Sequence, residues 1–245
     1  MIKHFIFPLL LLVSIKAEAH FEFSPISISL TTTGKSSHSI AQVINRSNEA
    51  VPIIVKVTQR KLLENGQEDR PDTSEVTAFP NQFLLSPKET KTIKISWQGE
   101  EKIATEQAYR IIVEEVPIVF TAKNQDRGAV RIMINYVGSI YVNSDATEPN
   151  LKLEKVESLS EDKKKLSLLF SNDGSAHAIL KSPSIELIAK SVGNLAEKKI
   201  TLDKTQLVLV EGKNVLAKSK LRINIVRPQD LQGYDSFEWK FSYDK

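Results

Sequence analysis

The sequence predicts an all-β protein made of two β sandwiches. Three observations predict it. Apolar residues alternate with period two in short runs from Phe21 to Val142, and short strand-like runs resume after the midpoint. Turn residues punctuate these runs at roughly regular intervals, and no segment carries a helical stripe of adequate length. A polar break containing a proline, Asn143-Ser144-Asp145-Ala146-Thr147-Glu148-Pro149-Asn150, separates two stretches each long enough for one sandwich.

The first 19 residues read as a secretory signal. Lys3 gives a positive start, Ile6 to Ile15 is apolar apart from Pro8 and Ser14, and Ala17-Glu18-Ala19 is a small-x-small cleavage site. The apolar run is too short to span a bilayer comfortably. Cleavage after Ala19 leaves His20 as the mature N-terminus, with residues 20–143 and 150–245 as the two domains. No lipobox cysteine is present.

The elements of the first domain follow in order. Phe21-Glu22-Phe23 and Ile26 to Leu30 alternate, Thr31 to Ser37 with Gly34 is a turn, and Ser39 to Ile44 is a strand closed by Asn45-Arg46-Ser47-Asn48. Val51 to Val57 places Ile53, Val55 and Val57 on one face. Asn65-Gly66 predicts a type I′ hairpin turn. Phe79 to Leu85, Thr90 to Trp97, Tyr109 to Val113 and the long, β-branched Ala129 to Val142 complete the set. In the second domain strands are expected at Leu166 to Phe170, Ile179 to Ile188, Lys199 to Leu202, Gln206 to Val210, Leu221 to Val226 and Phe237 to Tyr243. Strands so far apart in sequence require Greek-key connections.

Composition excludes several functions. The whole chain carries 33 basic and 30 acidic residues, and removing Lys3, Lys16 and Glu18 leaves a mature formal charge of +2. That balance argues against nucleic acid and anionic membrane as partners. There is no cysteine, so stability rests on core burial and sheet hydrogen bonds. No Gly-rich phosphate loop, CxxC, HExxH or G-x-S-x-G occurs, and no cofactor or metal is expected. Glu114 and Glu115 are adjacent on a strand, so they point to opposite faces and cannot act as a catalytic pair.

Several separated segments resemble the PapD-like periplasmic pilus chaperones of the chaperone–usher pathway. Phe23-Ser24-Pro25-Ile26-Ser27-Ile28-Ser29-Leu30 resembles the family's first strand, and Ala41-Gln42-Val43-Ile44-Asn45-Arg46-Ser47 its second. Phe79 to Pro87 followed by Ile93 to Trp97 resembles its "P-x-x-x-x-L-x-P … v-R-i" stretch. Tyr109-Arg110-Ile111-Ile112-Val113-Glu114-Glu115-Val116-Pro117 resembles "Y-R-x-x-x-x-E-x-P", the most specific match. In the second domain, Asn172-Asp173-Gly174-Ser175-Ala176-His177 resembles an "N-x-G-x-x-H" turn. The resemblance implies two immunoglobulin-like domains set at an angle. It also implies a non-enzymatic periplasmic protein that holds pilus subunits and delivers them to an outer-membrane usher.

The implied mechanism is donor-strand complementation, in which the chaperone lends its last first-domain strand to a subunit that lacks one. The donor would lie in Ala129 to Tyr141. Val130, Ile132 and Ile134 share one face and are the expected inserted side chains, or else face their own core. Ala129, Arg131, Met133 and Asn135 share the other face, and a β-bulge would exchange the two. Free chaperone would be expected to self-associate to cover such an edge.

The sequence departs from the family at the basic pair that holds a subunit's C-terminal carboxylate. Ser29 stands where the family has Arg and Gly138 where it has Lys, as in its divergent, archaic branch. Arg110 is the best substitute anchor, with Arg131 second; the alternative for Arg110 is a structural ion pair with Glu114 or Glu115. Two rival functions come from other classes. A mature N-terminal His20, with His38 or His177, could form a copper-binding histidine brace in an oxygenase or carrier; the two-domain layout and the Tyr109 to Pro117 match oppose it. A structural pilus subunit or adhesin would be a single incomplete domain, often with a disulfide.

Overall fold

A computed structural model describes residues 21–116, 133–144, 147–159, 163–191, 193 and 195–244. The expected signal peptide, His20, Val130, Arg131 and Ile132 lie outside the described residues.

The first half contains β1 (Phe21–Ser24), β2 (Ser27–Thr31), β3 (His38–Asn45), β4 (Val51–Gln59), β5 (Lys61–Leu62), β6 (Glu68–Asp69), β7 (Val76–Phe79), β8 (Gln82–Leu85), β9 (Thr90–Trp97), β10 (Gln107–Glu115) and β11 (Asn135–Asn143). Nine of them form two facing sheets, ordered β1-β3-β9-β7 and β2-β11-β10-β4-β8, and β5 pairs with β6 in a separate hairpin. The core between them holds Phe21, Val43, Ile53, Ile93, Ile95, Tyr109, Ile111, Ile140 and Val142, all nearly inaccessible. This is the period-two pattern made physical: Val51, Ile53 and Val55 of β4 face inward, and Ile54 and Lys56 do not.

The second half contains β12 (Leu151–Ser158), β13 (Lys165–Asn172), β14 (Ala178–Ile179), β15 (Lys181–Ala189), β16 (Lys198–Thr201), β17 (Asn214–Val215), β18 (Ser219–Val226) and β19 (Phe237–Asp244). Its sheets are β12-β13-β18 and β16-β15-β19, with the small pair β14-β17. A separate core runs from Leu151 to Phe237. The fold is all-β, with two sandwiches that each own a core.

The structure corrects several element expectations. Phe79 to Leu85 is two strands. Phe79 pairs with Lys94 in one sheet and Gln82 with Ile54 in the other, and Pro80 sits at the switch, where it has no N–H to give. The Asn65-Gly66 turn is not type I′, which needs left-handed backbone at both central residues. Gly66 has φ 84°, but Asn65 is not among the described residues with positive φ. Instead Leu63 O accepts Gly66 N–H at 2.9 Å, and Asn65 Oδ1 accepts Gln67 N–H at 3.0 Å.

Gln206 to Val210 is a helical turn. Asp203 Oδ1 accepts the N–H groups of Thr205 and Gln206, and Leu207 donates to Asp203 O at 3.0 Å. Leu207 and Val210 are buried while Val208 and Leu209 are exposed, the three-residue spacing of a helix. Ile179 to Ile188 breaks at Leu180, where β14 leaves for β17. Strand β12 escapes the sequence reading because a register shift between Leu153 and Lys155 moves its inward face from Leu151 and Leu153 to Val156.

Candidate functional site

The long strand expected from Ala129 begins, among the described residues, at Asn135. Met133 and Ile134 precede it outside regular strand; Met133 is 50% exposed and Ile134 half-buried. Strand β11 pairs with β10 from Asn135 to Val142. On its other side it pairs, in parallel, with β2 only from Ser139 to Asn143. Among the described residues, Asn135 to Gly138 therefore has no strand on that side. Ser139 N–H reaches Ile26 O across the paired part at 2.8 Å. Amides alternate sides along a strand, so the Val137 N–H faces the open edge.

The two faces of β11 differ. Tyr136, Gly138, Ile140 and Val142 face the sandwich core, with Tyr136 against Phe21 at 5.2 Å between ring centroids. Gly138 is buried, and a Cβ there would lie 2.9 Å from both Ile111 Cγ2 and Ile26 O. The position matched to the family's Lys thus looks inward and could hold no cleft cation. Ser139 and Tyr141 face the opposite way, where Tyr141 meets Asn214 and His177 of the second sandwich, and Ser29 beside Tyr141 in the register shares that face.

Arg110, across from Ser139, is not free. Its Nε donates to Glu68 Oε2 at 3.0 Å, Nη2 also binds Glu68, and Nη1 donates to Ser139 Oγ at 2.6 Å. Its ion-pair partner is Glu68, not Glu114 or Glu115; Glu114 instead takes Lys56 at 2.7 Å. Arg60 Nε donates to Glu68 Oε1 at 2.7 Å, and Arg70 donates to Oε2 from Nε and Nη2. Burial pushes the Glu68 carboxyl up, but the bond from Arg110, the charge of Arg60 and the bond from Arg70 outweigh it and hold the pKa at about 2.

The cleft is closed on one side by His177 of the matched turn, together with Arg60, Glu106 and Asn214, which the sequence did not single out, all gathered around Tyr141 and its ring partner. Tyr141 Oη accepts from Arg60 Nη1 at 3.0 Å and from Asn214 Nδ2 at 2.7 Å. His177 stacks on Tyr141, and its Nδ1 lies 2.8 Å from each carboxylate oxygen of Glu106, whose side chain is 2% exposed. The Asn172 to His177 turn also grips the linker. Asn172 Oδ1 accepts Asn150 N–H at 3.0 Å, and Ser175 N–H donates to Glu148 O at 2.8 Å. Asn45 plays a matching part in the first sandwich: it is buried, and its Nδ2 donates to Glu49, Leu85 and Ser86 carbonyls. His38 lies on β3 of the sheet that does not carry β11. Among the described residues no group of His, Cys, Asp and Glu is arranged to hold a metal ion.

Residues 23–140 match the family described as pili and flagellar-assembly chaperone, PapD N-terminal domain. The first sandwich thus carries the match to this chaperone family. No curated protein matches the sequence. Among solved structures, the fold is similar to one from the CsuC–CsuE chaperone–tip adhesion subunit pre-assembly complex of the archaic chaperone–usher Csu pili of Acinetobacter baumannii. That match has a TM-score of 0.57 and 13% identity over 84% of this chain and 90% of that one. A chaperone–tip adhesin complex of CFA/I fimbriae biogenesis gives 0.54 and 16%, over 91% and 98%. The Salmonella enterica SafA pilin–SafB chaperone complex gives 0.54 and 13%, over 92% and 98%. At these identities the likeness is one of fold.

Proposed function

We propose that this protein is a periplasmic chaperone that captures pilus subunits by donor-strand complementation and hands them to an outer-membrane usher. The work is binding, without catalysis. The observation that carries this reading is the one-sided pairing of β11 from Asn135 to Gly138. An unpaired run of N–H and C=O groups offers main-chain bonds to an added strand, and side chains at alternate positions select what fits. Val130, Ile132 and Ile134 are the proposed inserts. Ile134 has the parity of Tyr136, whose side chain packs on the chaperone's own core, so an added subunit core would continue that layer. Met133 lies on the other face.

Arg110 is the proposed carboxylate anchor, at the cleft face beside Ser139, and Arg131 the second candidate. The free edge also supports self-association of the unloaded protein, since exposed strand edges invite pairing. The test is recovery of the tagged mature protein from the periplasm of its native host. A small secreted protein bound one-to-one supports the reading; recovery of the chain alone, under conditions where pili assemble, refutes it.

A further inference from the structure

We infer that Glu68 is an internal stand-in for a ligand carboxylate: it fills the guanidinium fork of Arg110 and latches the hairpin Lys61–Asp69 across the cleft until an external carboxylate takes its place. The inference rests on the reading of Arg110 as the anchor.

Three arginines converge on this one carboxylate. Glu68 accepts from Arg60 Nε, from Nε and Nη2 of Arg110, and from Nε and Nη2 of Arg70. Arginine keeps its charge at any working pH, so the cluster holds three positive charges against one negative. The surplus favours a second anion, yet the planar edge of Arg110 that binds a carboxylate with two parallel bonds is occupied. An incoming carboxylate must therefore exchange with Glu68.

The exchange has a mechanical consequence because the same hairpin is tied to the second sandwich. Its Glu64 O accepts the Arg222 N–H at 2.6 Å, and Glu64 Oε1 accepts from Arg222 Nε at 2.8 Å. Arg222 lies on β18, which pairs with β13 alone among the described strands, so the hairpin also covers an edge of the second sandwich. The Gly66 backbone approaches Leu221 at the same junction. Releasing Glu68 removes the hairpin's side-chain hold on Arg110 and Arg60, leaving its base on the backbone bonds from Gln59 N–H to Pro71 O and from Arg60 N–H to Ala108 O, and its turn on Arg222. Occupancy of the Arg110 fork and the contact between the two sandwiches are thus coupled through one hairpin.

The test needs no pilus subunit. The arginine Nε–Hε resonances of the mature protein are followed by NMR as sodium acetate is added to about 0.1 M, with sodium chloride at equal ionic strength as the control. In the wild type, Arg110 should not respond to acetate. In Glu68→Gln, Arg110 and Arg60 should shift saturably, and amide exchange at Leu63 and Gly66 should rise about tenfold. Glu68→Asp keeps the charge on a shorter stem and should give an intermediate response if the first variant fails to fold. An equal response of Arg110 in wild type and variants, or no response in either variant, overturns the inference. Arg110 meets β11 at Ser139, in the part already paired with β2 and outside the open run Asn135 to Gly138, so strand capture is judged separately by Ile132→Asp, below.

Discussion

His177 lies flat against Tyr141, with ring centroids 3.9 Å apart and planes 15° from parallel. One ring belongs to the last strand of the first sandwich and the other to the linker-gripping turn of the second. The stack therefore ties the strand that carries the candidate binding edge directly to the neighbouring sandwich. Glu106 holds the imidazole from behind, and Arg60 and Asn214 hold the phenol. Ala108, Leu216 and Leu62 pack around the junction.

Tyr141→Phe should keep the stack and lose the acceptor shared by Arg60 and Asn214. Two partly or fully buried donors lose a bond, and the expected cost is about 2 kcal/mol. Urea unfolding of the mature protein measures it; a change below about 0.5 kcal/mol would show that water replaces the phenol without loss.

His177→Ala should cost more, about 3 kcal/mol, because the buried Glu106 carboxylate would keep only the backbone N–H of that position from its present His177 partners. Small-angle scattering should also show a broader spread of orientations between the sandwiches. Loss of stability without that broadening would mean that the linker grip alone fixes their relation.

Gly174→Ala should be severe. A Cβ there would lie 2.3 Å from Asn150 N and 2.5 Å from Glu148 O, both backbone atoms that cannot swing aside. We expect at least about 3 kcal/mol. Gly212→Ala is the control: its φ of 71° carries strain, but no atom lies within 4 Å of the new methyl. About 1 kcal/mol is expected there.

Glu68 sets an acid limb. A carboxylate held below its unfolded value stabilises the fold fully above that value and loses the contribution as pH falls through the folded one. Here the window runs from 4.5 down to about 2. The urea-unfolding stability gap between wild type and Glu68→Gln should be constant above pH about 5 and shrink steadily below it. A gap independent of pH down to 2 would contradict the ion-pair account.

Ile132→Asp should abolish subunit capture while leaving the unfolding free energy within about 0.5 kcal/mol of wild type, since a charge cannot enter an apolar groove. Co-purification from the periplasm reads this directly. Retained capture would shift the inserted face to Arg131 and Met133.

Much of this fold is written in alternation. Where one face of a strand meets the core without interruption, as at Val51, Ile53 and Val55, the period gives both the strand and its buried face. It fails where a local event changes the phase. The shift at Leu153/Lys155 hides β12, Pro80 cuts one apparent strand into two sheets, and Asp203 caps a helical turn out of β-rich residues. The site was less legible. Arg110 stands out as a cation beside an apolar strand, but Glu68 is 42 positions away and looks like hairpin surface. Glu106 and His177 meet only because the two sandwiches do. A sequence signal existed for the second of these: the Asn172, Gly174 and His177 pattern, whose glycine marks the close approach of the linker.

The central claim is that a subunit adds a strand at the open side of β11. Amide hydrogen exchange at Val137, measured in the free and the subunit-loaded protein, tests it most directly. The account predicts fast exchange when free and protection raised at least about tenfold on loading, with Ser139, already bonded to Ile26, changing little. Unchanged exchange at Val137 in a fully loaded complex would contradict it.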